Sequence, residues 1–131
     1  MNPARILIVD DEEHIIQVLT VKLRGAGYEV LTAMDGEEAL EIACRTKPDL
    51  VITDYQMPFM TGLDLCEALG KRPDTASIPV LLLTARGHGL SSDALAVAGN
   101  IRAVVSKPFS PRAVLQRIAS LIGGDQIRGA A

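Results

Sequence analysis

The sequence predicts an α/β fold, a doubly wound five-stranded parallel sheet with five helices packed on its faces. Three observations carry this expectation. Short apolar, β-branched runs alternate five times with stretches whose apolar residues recur at helical spacing, the order that gives a parallel sheet with right-handed crossovers. The runs Ile6-Leu7-Ile8-Val9, Leu50-Val51-Ile52-Thr53 and Val80-Leu81-Leu82-Leu83 are apolar or β-branched at consecutive positions, as strands covered on both faces are. Polar groups then follow the runs directly: Asp10-Asp11, Asp54, Thr84 and Lys107.

In chain order, the first strand ends at Asp10-Asp11. From Glu13 to Arg24, Ile15, Leu19 and Leu23 recur every fourth residue on one helical face, and Gly25-Ala26-Gly27 stops that helix. Glu29 to Ala33 forms the second strand. Asp35 as N-cap, with Glu38 three residues on, is a capping-box variant that opens a helix through Ala39, Leu40, Ile42 and Ala43. Lys47-Pro48 breaks the chain before the third strand, which runs into Asp54. Gly62 precedes a helix carrying Leu65, Cys66 and Leu69, ended by Gly70 to Pro73.

Pro79 begins the fourth strand, where a missing ladder donor is tolerated, and Thr84 stands at its end. Ser91-Ser92-Asp93 is expected to cap a short helix from Ala94 to Ala98. Ala103-Val104-Val105-Ser106 is the fifth strand and leads to Lys107-Pro108. Ser110 as N-cap and Pro111 at the first helical position open a last helix with a stripe of Val114, Leu115, Ile118, Leu121 and Ile122. Gly123-Gly124 ends it. One domain over residues 1–124 is expected, with a flexible C-terminal tail over residues 125–131.

Composition narrows the function. The 131 residues are 48% hydrophobic but only 3% aromatic, so the core rests on aliphatic side chains. Sixteen acidic against thirteen basic residues, with no Lys/Arg block, argue against direct nucleic-acid binding. No signal-peptide pattern or membrane-length apolar run is present, and Cys44 and Cys66 lack metal-ligand or redox spacing, so a cytoplasmic protein with free thiols is expected.

In a parallel sheet the carboxyl ends of the strands face one cleft, where ligands gather. Asp10, Asp11 and Asp54 converging there would raise one another's pKa unless a cation kept them ionised. Hard oxygen donors, few in number, suit Mg²⁺, which completes its shell with water and a phosphate oxygen. Such a site suits phosphoryl transfer. One carboxylate attacks phosphorus in line, Lys107 offers a point charge to the phosphoryl oxygens and Thr84 a hydroxyl donor.

Ile6 to Glu12, Asp54-Tyr55-Gln56-Met57-Pro58 with Gly62, Leu83-Thr84-Ala85 and Ser106-Lys107-Pro108-Phe109 resemble the receiver domain of two-component response regulators, over about residues 4 to 122. The resemblance implies the flavodoxin-like strand order 2-1-3-4-5. It also implies that Asp54 accepts a phosphoryl group from the phosphohistidine of a sensor histidine kinase or phosphotransfer protein. Asp11, Asp54 and the Gln56 backbone carbonyl would bind Mg²⁺, with Asp10 holding a metal-bound water. Lys107, through a cis bond to Pro108, would contact the phosphate, and Thr84 would move toward it.

By the same resemblance, the first helix and the loop after the fifth strand dock the kinase, which makes Ile15, Val18, Pro108 and Phe109 candidates. Gln56 and Arg86 take the positions that tune phosphate lifetime. One departure stands out: Val104 replaces the aromatic ring or His usual three residues before the Lys, so output is expected to rely on the Thr84 to His88 loop or on another surface. The function expected is a switch, not an enzyme, that changes the binding of a downstream protein in trans. The alternatives are the receiver portion of a larger regulator or hybrid kinase and an aspartyl-phosphate phosphatase. Asp10 followed two residues later by Glu12, where a haloacid-dehalogenase-like phosphatase carries Asp, argues against the last.

Overall fold

The computed structural model describes residues 3–84 and 99–123. Five parallel strands, β1 (Arg5–Val9), β2 (Glu29–Ala33), β3 (Leu50–Asp54), β4 (Val80–Thr84) and β5 (Ile101–Ser106), form one sheet in the order β2-β1-β3-β4-β5. The described helices are α1 (Glu13–Gly25), α2 (Gly36–Thr46), α3 (Gly62–Gly70) and α4 (Pro111–Ile118), the last followed by a π-helical turn over Ala119–Gly123. The expected helix from Ala94 to Ala98, with its cap, lies outside the described residues, as does the tail over residues 125–131.

Alternation along the strands splits the core in two. Ile6, Ile8, Leu50, Ile52, Leu81 and Leu83 pack beneath α1 and α4, while Leu7, Val9, Val51 and Val80 pack beneath α2 and α3. Both faces are covered, and every residue of β3 and β4 is buried, hence their unbroken apolar runs. Cys66 lies in the second layer, and burial, helped by Glu67, pushes its thiol up to about 12, which makes it a packing residue and not a nucleophile.

Local chemistry sets the helix ends. Asp35 accepts the Glu38 N–H at 2.8 Å, as expected, but the Glu38 carboxylate reaches one residue further back, to the Met34 N–H at 2.8 Å. Asp35→Ala is expected to cost about 1 kcal/mol of stability, measured by urea denaturation. A full capping box opens α3, where Thr61 accepts from the Asp64 N–H at 3.1 Å and Asp64 from the Thr61 N–H at 3.0 Å.

Three expectations shift. The buried stripe of α1 is Ile16, Leu19 and Leu23; Ile15 is half-buried at its margin, because an i, i+3, i+7 stripe fits these positions better than strict fourfold spacing. Strand β5 begins at Ile101, two residues early, with a register shift that leaves exposed Arg102 unpaired between Ile101 and Ala103. The last helix leaves α geometry after Ile118, yet Ile122 remains buried beneath the π turn.

Candidate functional site

The carboxyl ends of β1, β3, β4 and β5 meet above the sheet. Asp10 is the first residue past β1, fully buried and held by its N–H to the Ala33 carbonyl at 3.2 Å. Its Oδ1 accepts the Glu12 N–H at 2.9 Å, so the turn after β1 closes on its own acid. Asp54, the last residue of β3, is 5% exposed. The next residue, Tyr55, donates its N–H to the Leu83 carbonyl at 2.7 Å, and the Gly62 N–H returns to the Tyr55 carbonyl at 2.8 Å, which folds the following loop back on the strand. Buried Met57 anchors that loop.

Beyond Met57 the chain makes a tight γ-turn, with the Met60 N–H donated to the Pro58 carbonyl at 2.7 Å. Phe59, at its centre, is fully exposed with a left-handed φ of 69°.

Lys107 reaches this cluster from β5, its N–H donated to the Thr84 carbonyl at 2.7 Å and its bond to Pro108 cis. Its Nζ lies 3.2 Å from Asp54 Oδ1, 3.5 Å from Asp10 Oδ2 and 3.8 Å from Glu12 Oε1. Oxygens of Asp10, Asp11 and Asp54 all lie within 4.8 Å of one another. Asp10, Asp11, Asp54 and Lys107 are therefore brought together as the sequence suggested. Thr84 stands at the end of β4, buried, with its Oγ1 lacking a hydrogen-bond partner among the described residues. Gln56 lies exposed two residues past Asp54; Arg86 and the rest of the loop to His88 lie outside the described residues.

The electrostatics reflect crowding. Burial, opposed by the Glu12 N–H and reinforced by Asp54, raises Asp10 to about 6. Asp54 is raised by burial and by Asp11 and Glu12, against the pull of Lys107. Burial would lower Lys107, but Asp10, Asp54 and Glu12 together raise it. Among the described residues the single ammonium does not balance four carboxylates. A hard divalent cation fits the deficit: the donors are all oxygen, and Asp10 Oδ2 is buried without a hydrogen bond among the described residues.

Sequence reasoning did not single out Glu12 as a partner of Lys107. The acidic run Asp10-Asp11-Glu12 carried the signal, but only the turn geometry decides which of its side chains reaches across to β5. The close approach of Gly62 to β3 was likewise invisible. A Cβ there would lie 2.5 Å from the Asp54 carbonyl oxygen and 3.1 Å from Tyr55 Cα.

An α/β sheet with an acidic cluster and a lysine at its strand ends defines a class of phosphoryl-handling domains. The family model for the response regulator receiver domain matches residues 6–119, and the chain belongs to that family, whose general role is a phosphorylation-controlled signalling switch. It is 38% identical, over 94% of its length, to the alkaline phosphatase synthesis transcriptional regulatory protein PhoP of Bacillus subtilis, covering 50% of that protein. It is 40% identical, over 90% of its length, to the response regulator PleD of Caulobacter vibrioides, covering 26%. The chain thus spans half or less of these relatives. Among solved structures, the chemotaxis response regulator CheY4 of Vibrio cholerae superposes with a TM-score of 0.84 at 34% identity, over 91% of this chain and 98% of that one.

Proposed function

We propose that this chain is a receiver switch in which Asp54 accepts a phosphoryl group from a sensor histidine kinase or phosphotransfer protein and thereby changes the binding of a downstream protein. The observation that carries the reading is the placement of Lys107 Nζ 3.2 Å from a buried Asp54 that shares its pocket with Asp10 and Asp11. In the transfer, an Asp54 carboxylate oxygen bonds to phosphorus as the P–N bond to the donor imidazole breaks, and its electron pair returns to the ring nitrogen.

Asp11, Asp54 and the Gln56 carbonyl would hold Mg²⁺, with Asp10 binding through water. The bound cation would shield the negative charges of carboxylate and phosphoryl group. Lys107, freed from Asp54, would turn its charge to the phosphoryl oxygens. The Thr84 hydroxyl, without a hydrogen-bond partner among the described residues, would supply a hydrogen bond, which gives the phosphorylated state the differential contact that any population shift requires.

The receiver unit is assigned to residues 1–124 and the cytoplasm, and the chemistry is the same whether it acts alone or within a longer regulator. Among the described residues no helix is long and apolar enough to cross a membrane. For kinase docking, Val18 on α1 and Pro108 after β5 are exposed, whereas Ile15 and Phe109 are half-buried against the core, which favours the first two as contact residues.

Intact mass after incubation with acetyl phosphate tests the reading. A single phosphoryl adduct requiring both Mg²⁺ and Asp54, and absent from Asp54→Ala, is expected. A folded chain that forms no adduct and binds no beryllofluoride would overturn it.

A further inference from the structure

We propose that Glu12 is a positioning residue for Lys107: its carboxylate competes for the ammonium group and guards the solvent side of the acidic cluster against incoming anions. This role rests on the reading of Asp54 as phosphoacceptor.

The geometry gives Glu12 a place unlike that of its neighbours. Its N–H is tied to Asp10 Oδ1 at 2.9 Å, which fixes where the side chain starts. Its carboxylate then bridges outward, Oε1 lying 3.8 Å from Lys107 Nζ and Oε2 3.6 Å from His14 Nε2. Among the described residues the three carboxylates around Lys107 are graded by depth: the side chains of Asp10 and Asp54 are 0% and 7% exposed, that of Glu12 50%. Asp10 and Asp54 also belong to the trio grouped closely enough to share a cation, and Glu12 does not.

The consequence follows from charge. With a cation and a phosphoryl group held by the trio, Asp10 and Asp54 would be occupied, and Glu12 would be left as the carboxylate that competes with the phosphoryl oxygens for Lys107. Its exposed charge also faces the solvent from which an anionic donor arrives, so it disfavours entry as well as alignment. Glu12 thus slows phosphorylation by donors that bring no binding surface of their own, while a protein donor docked on the domain can offset the barrier.

The test measures the rate of Asp54 adduct formation from acetyl phosphate by intact mass, in the unaltered chain, Glu12→Gln and Glu13→Gln. Glu13 is an adjacent exposed acid on α1 outside the cluster, so its variant removes the same net charge. Glu12→Gln is expected to react about fivefold faster and to bind beryllofluoride at correspondingly lower concentration, with Glu13→Gln unchanged. The gain should shrink at high salt, which a merely structural effect would not do.

Equal or slower reaction of a folded Glu12→Gln, or an equal gain in Glu13→Gln, would overturn the role of Glu12 while leaving Asp54 as phosphoacceptor. Failure of the unaltered chain to form any adduct or to bind beryllofluoride would instead overturn the underlying reading, and the role of Glu12 with it.

Discussion

Gly62→Ala is expected to destabilise the protein by about 3 kcal/mol or more and to abolish adduct formation at Asp54. The added Cβ would sit 2.5 Å from the Asp54 carbonyl oxygen, 2.9 Å from Leu82 Cδ1 and 3.1 Å from Tyr55 Cα. Two of these are backbone atoms of the segment that presents the acid, and neither has a free direction. The Asp54 carbonyl oxygen also accepts from Thr53 Oγ1 at 3.0 Å, and the flanking Tyr55 N–H is bonded to β4 at 2.7 Å. Relief of the clash must therefore pull α3 off the sheet or move Asp54 relative to Lys107.

Urea denaturation gives the stability, and acetyl phosphate labelling followed by intact mass gives the chemistry. Gly25→Ala is the control. Nothing lies within 4 Å of its added Cβ at the end of α1, so it should be neutral or stabilising by up to about 1 kcal/mol. A Gly62→Ala protein within 1 kcal/mol of the unaltered chain would show that the loop gives way where its hydrogen bonds suggest it does not.

The same contrast explains what was readable in the residues. Strand positions and the two-faced burial followed from runs such as Leu50 to Thr53, because a strand buried on both sides leaves no polar positions to confuse its pattern. The charged groups of the site were legible because strand ends in a parallel sheet converge, so Asp10, Asp54 and Lys107 could be expected together without knowing strand order. The strand order itself came from family resemblance. Where two physical signals overlapped, the sequence was ambiguous: Ile15 and Ile16 are adjacent isoleucines, and only packing decides which faces the core. Arg102 hid the start of β5 because a residue left unpaired by a register shift breaks the apolar alternation that marks a strand. Contacts that depend on where a turn points, such as Glu12 reaching Lys107, are not fixed by the pattern of residues: the acidic run is visible, but not which of its side chains crosses to β5.

Metal-free stability is expected to rise as the pH is lowered from 7.5 toward 5, opposite to the usual acid destabilisation of carboxylate-rich proteins. Asp10 has its folded pKa raised from 3.8 to about 6, and Asp54 is raised too, both chiefly by burial. A carboxyl group with a raised folded pKa costs stability when ionised. That cost is absent below the unfolded pKa and complete above the folded one, so it builds up between about pH 4 and 7. For Asp10 alone the shift amounts to on the order of 3 kcal/mol.

Lys107 is raised, and its contribution is present below its ordinary pKa of 10.5 and lost as the pH climbs through the folded value. It depends on ionised partners, however. Lys107→Met should therefore lower stability by about 2 kcal/mol at pH 7.5, where Asp10 and Asp54 lose their counter-charge, and by much less at pH 5, where protonation has already relieved them. Under the proposed Mg²⁺ site the cation acts in the reverse sense: it needs ionised carboxylates, so the rise in melting temperature on adding Mg²⁺ should be large at pH 7.5 and fade below about pH 6. Melting curves of both proteins at the two pH values, with and without Mg²⁺, check all three signs. A metal-free stability that climbs steadily from pH 5 to 7.5, or a Mg²⁺ effect indifferent to pH, would mean that the buried carboxylates do not carry the charge strain their placement implies.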